Sequence, residues 1–150
     1  LSQLARQKPD REGAPFTIKA TEEIIMIHTP GFLKMVDDAK SRVKEVTVAE
    51  TQNRLAANPN ALLIDVREDH EWQAAHAQGA EHLGKGVIER DIETTVPDKS
   101  TELILYCGGG YRSALASDAL QKMGYTNVWS LAGGWTAWKD SGAPIETNDS

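Results

Sequence analysis

Residues 102–124 read ELILYCGGGYRSALASDALQKMG. Three kinds of sequence follow one another here. Residues 102–106 are almost continuously apolar, which is the pattern of a strand covered on both faces rather than of one half in water. A lone cysteine, Cys107, then three glycines, Tyr111 and Arg112 make a loop. Over residues 113–123, Ala116, Ala119, Leu120 and Met123 recur at helical spacing, and Gly124 stands where a left-handed C-terminal cap belongs. In a strand–loop–helix unit of a parallel sheet, ligands bind beyond the carboxyl end of the strand. Cys107 lies at that end.

The rest of the chain repeats the alternation. Thr29 and Pro30 offer a capping hydroxyl and a first-turn proline for a helix within residues 21–45, with Phe32, Val36, Ala39 and Val43 on one stripe. Thr47 and Glu50 make a capping box that opens a helix to about Ala57, and Asn58, Pro59 and Asn60 stop it. Residues 61–66 form another buried strand. Helices over 69–76 and 87–94, a strand at 80–83, a turn at 97–100, a strand at 127–131 and a short helix holding Trp135 and Trp138 complete the pattern. This order predicts an α/β fold: a parallel twisted sheet of about five short strands with helices on both faces. The sheet domain is expected over residues 46–146. A partly helical extension precedes it over 1–45, beginning with a polar arm, and a tail follows at 147–150.

Composition excludes several classes. A net charge of −6 argues against a nucleic-acid surface. No apolar run is long enough for a membrane-spanning helix. One cysteine permits neither an internal disulfide nor a metal site built on cysteine pairs. His28, His70, His76 and His82 lack ligand spacing, so no metal and no cofactor is expected. A reducing compartment, the cytoplasm, is expected, with a removed leader left open because the chain begins at Leu1. The stripe within residues 29–43 must pack on something, either the sheet domain or a second copy in a homodimer.

Three physical effects converge on Cys107. A helix N-terminus presents unpaired N–H groups and a positive dipole end. Gly108, Gly109 and Gly110 let successive N–H groups turn inward as a nest. Arg112 brings a permanent planar cation suited to oxyanions. Each favours a thiolate, which makes Cys107 the candidate nucleophile. Gly108, Gly109, Gly110, Tyr111 and Arg112 are the candidate substrate-binding residues. Ser113 reads as a helix cap or as a donor to the thiolate. Asp65 and Arg67, two apart on a strand end, share a face and read as a tie between that end and neighbouring loops. His76 reads as a structural histidine.

CGGGYRS, residues 107–113, resembles the active-site loop of rhodanese-like sulfurtransferases, with six residues from Cys107 to Arg112 and glycine at the fourth. Two further stretches agree. Residues 62–84 resemble the family's first motif through Asp65, Val66, Arg67, Glu71, Trp72, His76, Gly79 and Ala80. Residues 131–145 resemble its closing motif through Gly133, Gly134, Trp138, Gly142 and Pro144. Ala75 and Gln78 depart from the usual glycine and proline, in a segment read as a surface turn. The resemblance implies two-step sulfur transfer from a small-molecule donor such as thiosulfate to cyanide or a thiol, through a Cys107 persulfide. Two other readings stay open. One is a phosphatase or arsenate reductase on the same fold, whose phosphatase loops are one residue longer than this one. The other is a regulatory or binding module, degenerate examples of which often lose the cysteine retained here. Residues 108–111 carry no charge, whereas relatives that favour thiosulfate often have another basic residue in the loop, so the donor is left open.

Overall fold

A computed structural model describes residues 28–147; the arm expected over residues 1–20 and the tail beyond 147 lie outside the described residues. The chain divides between Leu33 and Lys34 into two units. Helix α1 (Pro30–Lys40) crosses that point, and its first turn closes where the Leu33 N–H donates to the Thr29 carbonyl at 3.0 Å. In the second unit the elements run β1 (Lys44–Val46), α2 (Val48–Ala57), β2 (Leu62–Asp65), α3 (Asp69–Ala74), β3 (Ala75–Ala77) and β4 (Glu81–His82). They continue with α4 (Lys85–Thr95), β5 (Leu103–Tyr106), α5 (Tyr111–Lys122), β6 (Val128–Leu131), α6 (Gly134–Asp140) and β7 (Ile145–Thr147).

Five strands pair in parallel in the order β1-β6-β5-β2-β4, as the alternation predicts. Strand β5 is at the centre and fully buried. Its residues alternate between two cores. Leu103, Leu105 and Cys107 join Ile88 and Ile92 of α4 and Ala116 and Leu120 of α5. Ile104 and Tyr106 face the other way, with Val48 at the start of α2, Ala77 and Trp138 of α6. Burial on both faces is why the run in residues 103–106 is continuously apolar. The expected capping box forms at Thr47: its hydroxyl accepts from the Glu50 N–H at 3.1 Å, and Glu50 Oε1 accepts from the Thr47 N–H at 2.9 Å.

The structure departs from the sequence reading at several element boundaries. The helix expected within 21–45 ends at Lys40, and Lys44, Glu45 and Val46 pair with Trp129, Ser130 and Leu131. Lys44 and Glu45 are exposed, as suits an edge strand, and so carry no apolar signal. The helix expected over 69–76 stops at Ala74. Ala75 is extended and opens β3, which runs antiparallel to β7 with Ala75 opposite Thr147. Ala75 is therefore a strand residue rather than part of a surface turn, and its pairing extends β7 to Thr147. Helix α5 begins at Tyr111, two residues before expectation, because Gly110 caps it at a φ of 100°.

Along α1, Val36 and Ala39 are buried within the single chain. Beyond its end, Arg42 donates through Nε and Nη2 to the two carboxylate oxygens of Asp118 in α5, both at 2.9 Å. Among the described residues no helix is long and apolar enough to cross a membrane.

At the end of β2 a buried ion pair joins the sheet to the β3 ribbon. The Arg67 N–H donates to Asp65 Oδ1 at 2.8 Å, and Arg67 Nη2 donates to Asp65 Oδ2 at 2.8 Å and to the Ala75 carbonyl at 2.7 Å. Asp65 is 0% and Arg67 4% exposed. Burial disfavours the guanidinium charge, but the bonds to Asp65 outweigh it and hold Arg67 above its ordinary pKa. Arg67→Ala leaves Asp65 buried without its cation, at an expected cost of about 3–5 kcal/mol. Urea unfolding of the variant checks this; an unchanged midpoint would show that the pair contributes nothing.

Candidate active site

Cys107 follows the last residue of β5 and keeps the strand's register, so its side chain points toward α5. The sulfur is buried, with the residue 1% exposed. Two backbone donors reach it: the Gly110 N–H at 3.1 Å and the Ser113 N–H at 3.3 Å. The first N–H groups of a helix have no acceptor within the helix, and here Ser113 in the first turn of α5 gives its own to Sγ. Gly110 can take its left-handed conformation only at low cost as glycine, and a Cβ there would lie 3.2 Å from the Gly133 nitrogen.

Ser113 does not cap the helix. Its N–H and hydroxyl both serve Cys107, with Oγ at 3.5 Å from Sγ. That hydroxyl is also 2.8 Å from the Ser130 hydroxyl of β6. The sequence reading missed Ser130. Its signal is a serine on an otherwise apolar buried strand, where a polar group needs a partner. The paired hydroxyls can accept from a thiol, or turn and donate to a thiolate, without breaking their own contact.

The loop is clamped from behind by α6. The Trp135 N–H donates to the Cys107 carbonyl at 2.7 Å and the Thr136 N–H to the Gly108 carbonyl at 3.1 Å. Those two bonds fix the first two peptide units of the loop, while the donors to the sulfur come from Gly110 and Ser113 farther on. Close approach of two backbones makes this possible. A Cβ on Gly134 would collide with the Cys107 carbonyl oxygen and stand 2.9 Å from Gly108, and its φ is 54°.

Arg112 lies in the first turn of α5 and forms a bidentate pair with Glu71 of α3, Nη1 to Oε1 at 2.9 Å and Nη2 to Oε2 at 3.3 Å. The bond to Arg112 holds the Glu71 carboxyl below its ordinary pKa against partial burial, and Glu71 raises that of Arg112 in turn. Glu71 was legible as a motif member, but not its contact with a residue 41 positions on. Tyr111 is half-buried, with Lys40 Nζ 5.2 Å from its ring centroid. Gly109 is exposed at the loop crest and Gly108 half-buried. Among the described residues the sulfur's hydrogen bonds go to Gly110 and Ser113, not to Asp65 or Arg67; Arg67 lies 4.7 Å from the Trp135 ring centroid, supporting the clamp. His76 is fixed between Trp72 and Glu146, through the Trp72 carbonyl at 3.1 Å and the Glu146 carboxylate at 3.0 Å.

A family model for the rhodanese-like domain matches residues 47–141, more than half of the chain. The chain belongs to the rhodanese-like domain family. It is 33% identical to a Mycobacterium tuberculosis protein named "Probable adenylyltransferase/sulfurtransferase MoeZ" over 127 residues, 83% of this chain and 32% of that protein. It thus spans about a third of the length of that relative. Over 70 residues it is 39% identical to the thiosulfate sulfurtransferase PspE of Escherichia coli K12, covering 47% of this chain and 67% of that one. Among solved structures, a Rhodopseudomonas palustris protein of unknown function, "Possible Tyrosine Phosphatase", superposes with a TM-score of 0.70 at 29% identity, covering 89% of this chain and all of the other.

The clamp generates a prediction. Gly134→Ala adds a left-handed alanine and a collision with a backbone carbonyl, at about 1–3 kcal/mol from strain alone. The variant is expected to unfold at lower urea and to expose Cys107, so that alkylation by iodoacetamide accelerates. Unchanged alkylation would show that the loop does not need the clamp.

Proposed function

We propose that this rhodanese-like domain is a sulfurtransferase that carries a sulfane sulfur as a persulfide on Cys107. One observation carries the reading: a single buried sulfur that receives backbone N–H groups from Gly110, within the six-residue span from Cys107 to Arg112, and from Ser113 just after it. The likeness to a thiosulfate sulfurtransferase supports it. In the first step the Cys107 thiolate attacks the outer sulfur of a donor such as thiosulfate. The donor's S–S bond breaks, sulfite leaves with the electron pair, and Cys107 holds the persulfide. In the second, cyanide or a thiol attacks the outer persulfur, and the Cys107 thiolate leaves. No net oxidation of the protein occurs. The Gly110 and Ser113 N–H groups offset the charge that moves onto and off the sulfur, and being fixed in advance they need no reorganisation at the moment of reaction. Arg112 holds the donor or closes the loop over it.

A phosphatase reading draws on the likeness to the R. palustris protein. The span from Cys107 to Arg112 favours a sulfur atom over a tetrahedral phosphate, so sulfur transfer is the stronger reading.

The test is intact-protein mass after incubation with thiosulfate and, separately, with 3-mercaptopyruvate. A gain of one sulfur atom by the wild type, absent in Cys107→Ser, is the expected result. Arg112→Ala is expected to slow loading by about ten- to a hundredfold, the loss of one charge-assisted contact at a developing anion. Hydrolysis of p-nitrophenyl phosphate with no sulfur gain from either donor would reverse the ranking.

A further inference from the structure

The cation at the loop is already matched by an anion. Arg112 gives two of its N–H donors to Glu71. Glu71 is held independently of Arg112, because its Oε1 also accepts from the Glu68 N–H at 2.9 Å in the capping box of α3. Both side chains are about a quarter to a third exposed, so the pair stands at the protein surface rather than sealed in the core. It also stands over the loop: a Cβ on Gly108 would lie 3.1 Å from Arg112 Nη2. Beside the pair opens a cleft of about 610 Å³ lined by Arg67, Glu68, Asp69, Lys85 and Arg112, among others. Arg67 is neutralised by buried Asp65. Of the remaining charges, Glu68 and Asp69 outnumber Lys85. A dianion entering this cleft therefore meets, at Arg112, a guanidinium with two of its donors taken, and a rim that is, on balance, negative.

We propose that Glu71 is a specificity-determining residue that sets the class of sulfur donor. By occupying Arg112 it selects against dianionic donors such as thiosulfate, and in favour of donors of low charge, the alkyl persulfides. This rests on the sulfurtransferase reading. The chemistry balances without a further reactant. The Cys107 thiolate attacks the outer sulfur of R–S–SH, the S–S bond breaks, R–S⁻ leaves with the electron pair, and Cys107 becomes the persulfide. The leaving thiolate carries one charge, where sulfite carries two, so this donor needs less of Arg112. An anionic donor must instead displace or share the Glu71 carboxylate.

Glu71→Gln is the informative variant, since glutamine preserves the capping box while removing the charge. Sulfur loading is measured for wild type and variant with two donors, thiosulfate and 2-hydroxyethyl persulfide. The expected result is a rise of about five- to tenfold in kcat/KM for thiosulfate, mostly through KM, from unmasking one cation at partly exposed contact distance. The persulfide value should move less than about twofold. Glu71→Ser, which removes the same charge with a different side chain, should move both donors in the same directions, and serves if the glutamine variant fails to fold. A purely structural Glu71 would lower kcat for both donors alike, and that outcome, or an unchanged thiosulfate KM, overturns the proposal while leaving the sulfurtransferase reading intact. Loading of wild type from neither donor overturns both.

Discussion

Two carbonyl oxygens decide what the Cys107 loop can be. Those of Cys107 and Gly108 are bonded from behind by the Trp135 and Thr136 N–H groups. A peptide unit is planar, so fixing a carbonyl on one side fixes the following N–H on the other. The clamp thus fixes the Gly108 and Gly109 N–H groups within a glycine run, which in isolation is the most mobile kind of chain, and the donors that reach Sγ follow at Gly110 and Ser113. Gly134 is the other half of the same contact, because only a residue without a Cβ lets the two backbones come this close.

The sheet supplies the second requirement, a fixed origin for the loop. Strand β5 lies between β2 and β6, and each of its residues is covered on its own face. Cys107 extends the alternation by one step, so the thiol is aimed by the strand before the loop begins. The neighbouring strand adds Ser130, opposite Leu105, whose hydroxyl meets that of Ser113 beneath the sulfur. Two strands and one helix end therefore meet at one atom.

What could be read from the sequence follows the range of each signal. The apolar run of β5, the helical spacing after Ser113 and the Thr47 capping box are local, and the structure has each of them. The Asp65–Arg67 tie was legible because residues two apart on a strand share a face. Strand β1 was not, since an edge strand of lysine and glutamate has no apolar mark. Nor was β3, because alanines in a helical run say nothing against continuing the helix. The contacts from Arg112 to Glu71 and from Cys107 to Trp135 join distant stretches, and no spacing rule reaches them. Motif resemblance did mark Glu71, Gly133 and Gly134, but gave them no partners.

The clamp also has a consequence for how the domain matures. Helix α6 is the last helix of the described chain, and it supplies the N–H groups bonded to the Cys107 and Gly108 carbonyls. During synthesis the chain emerges N-terminus first, so Cys107 leaves the ribosome before Gly134 exists. In that interval the thiol lacks its backing, and the glycines are free. The two loop carbonyls gain their donors only once α6 has docked, so backing the loop is a late step of folding.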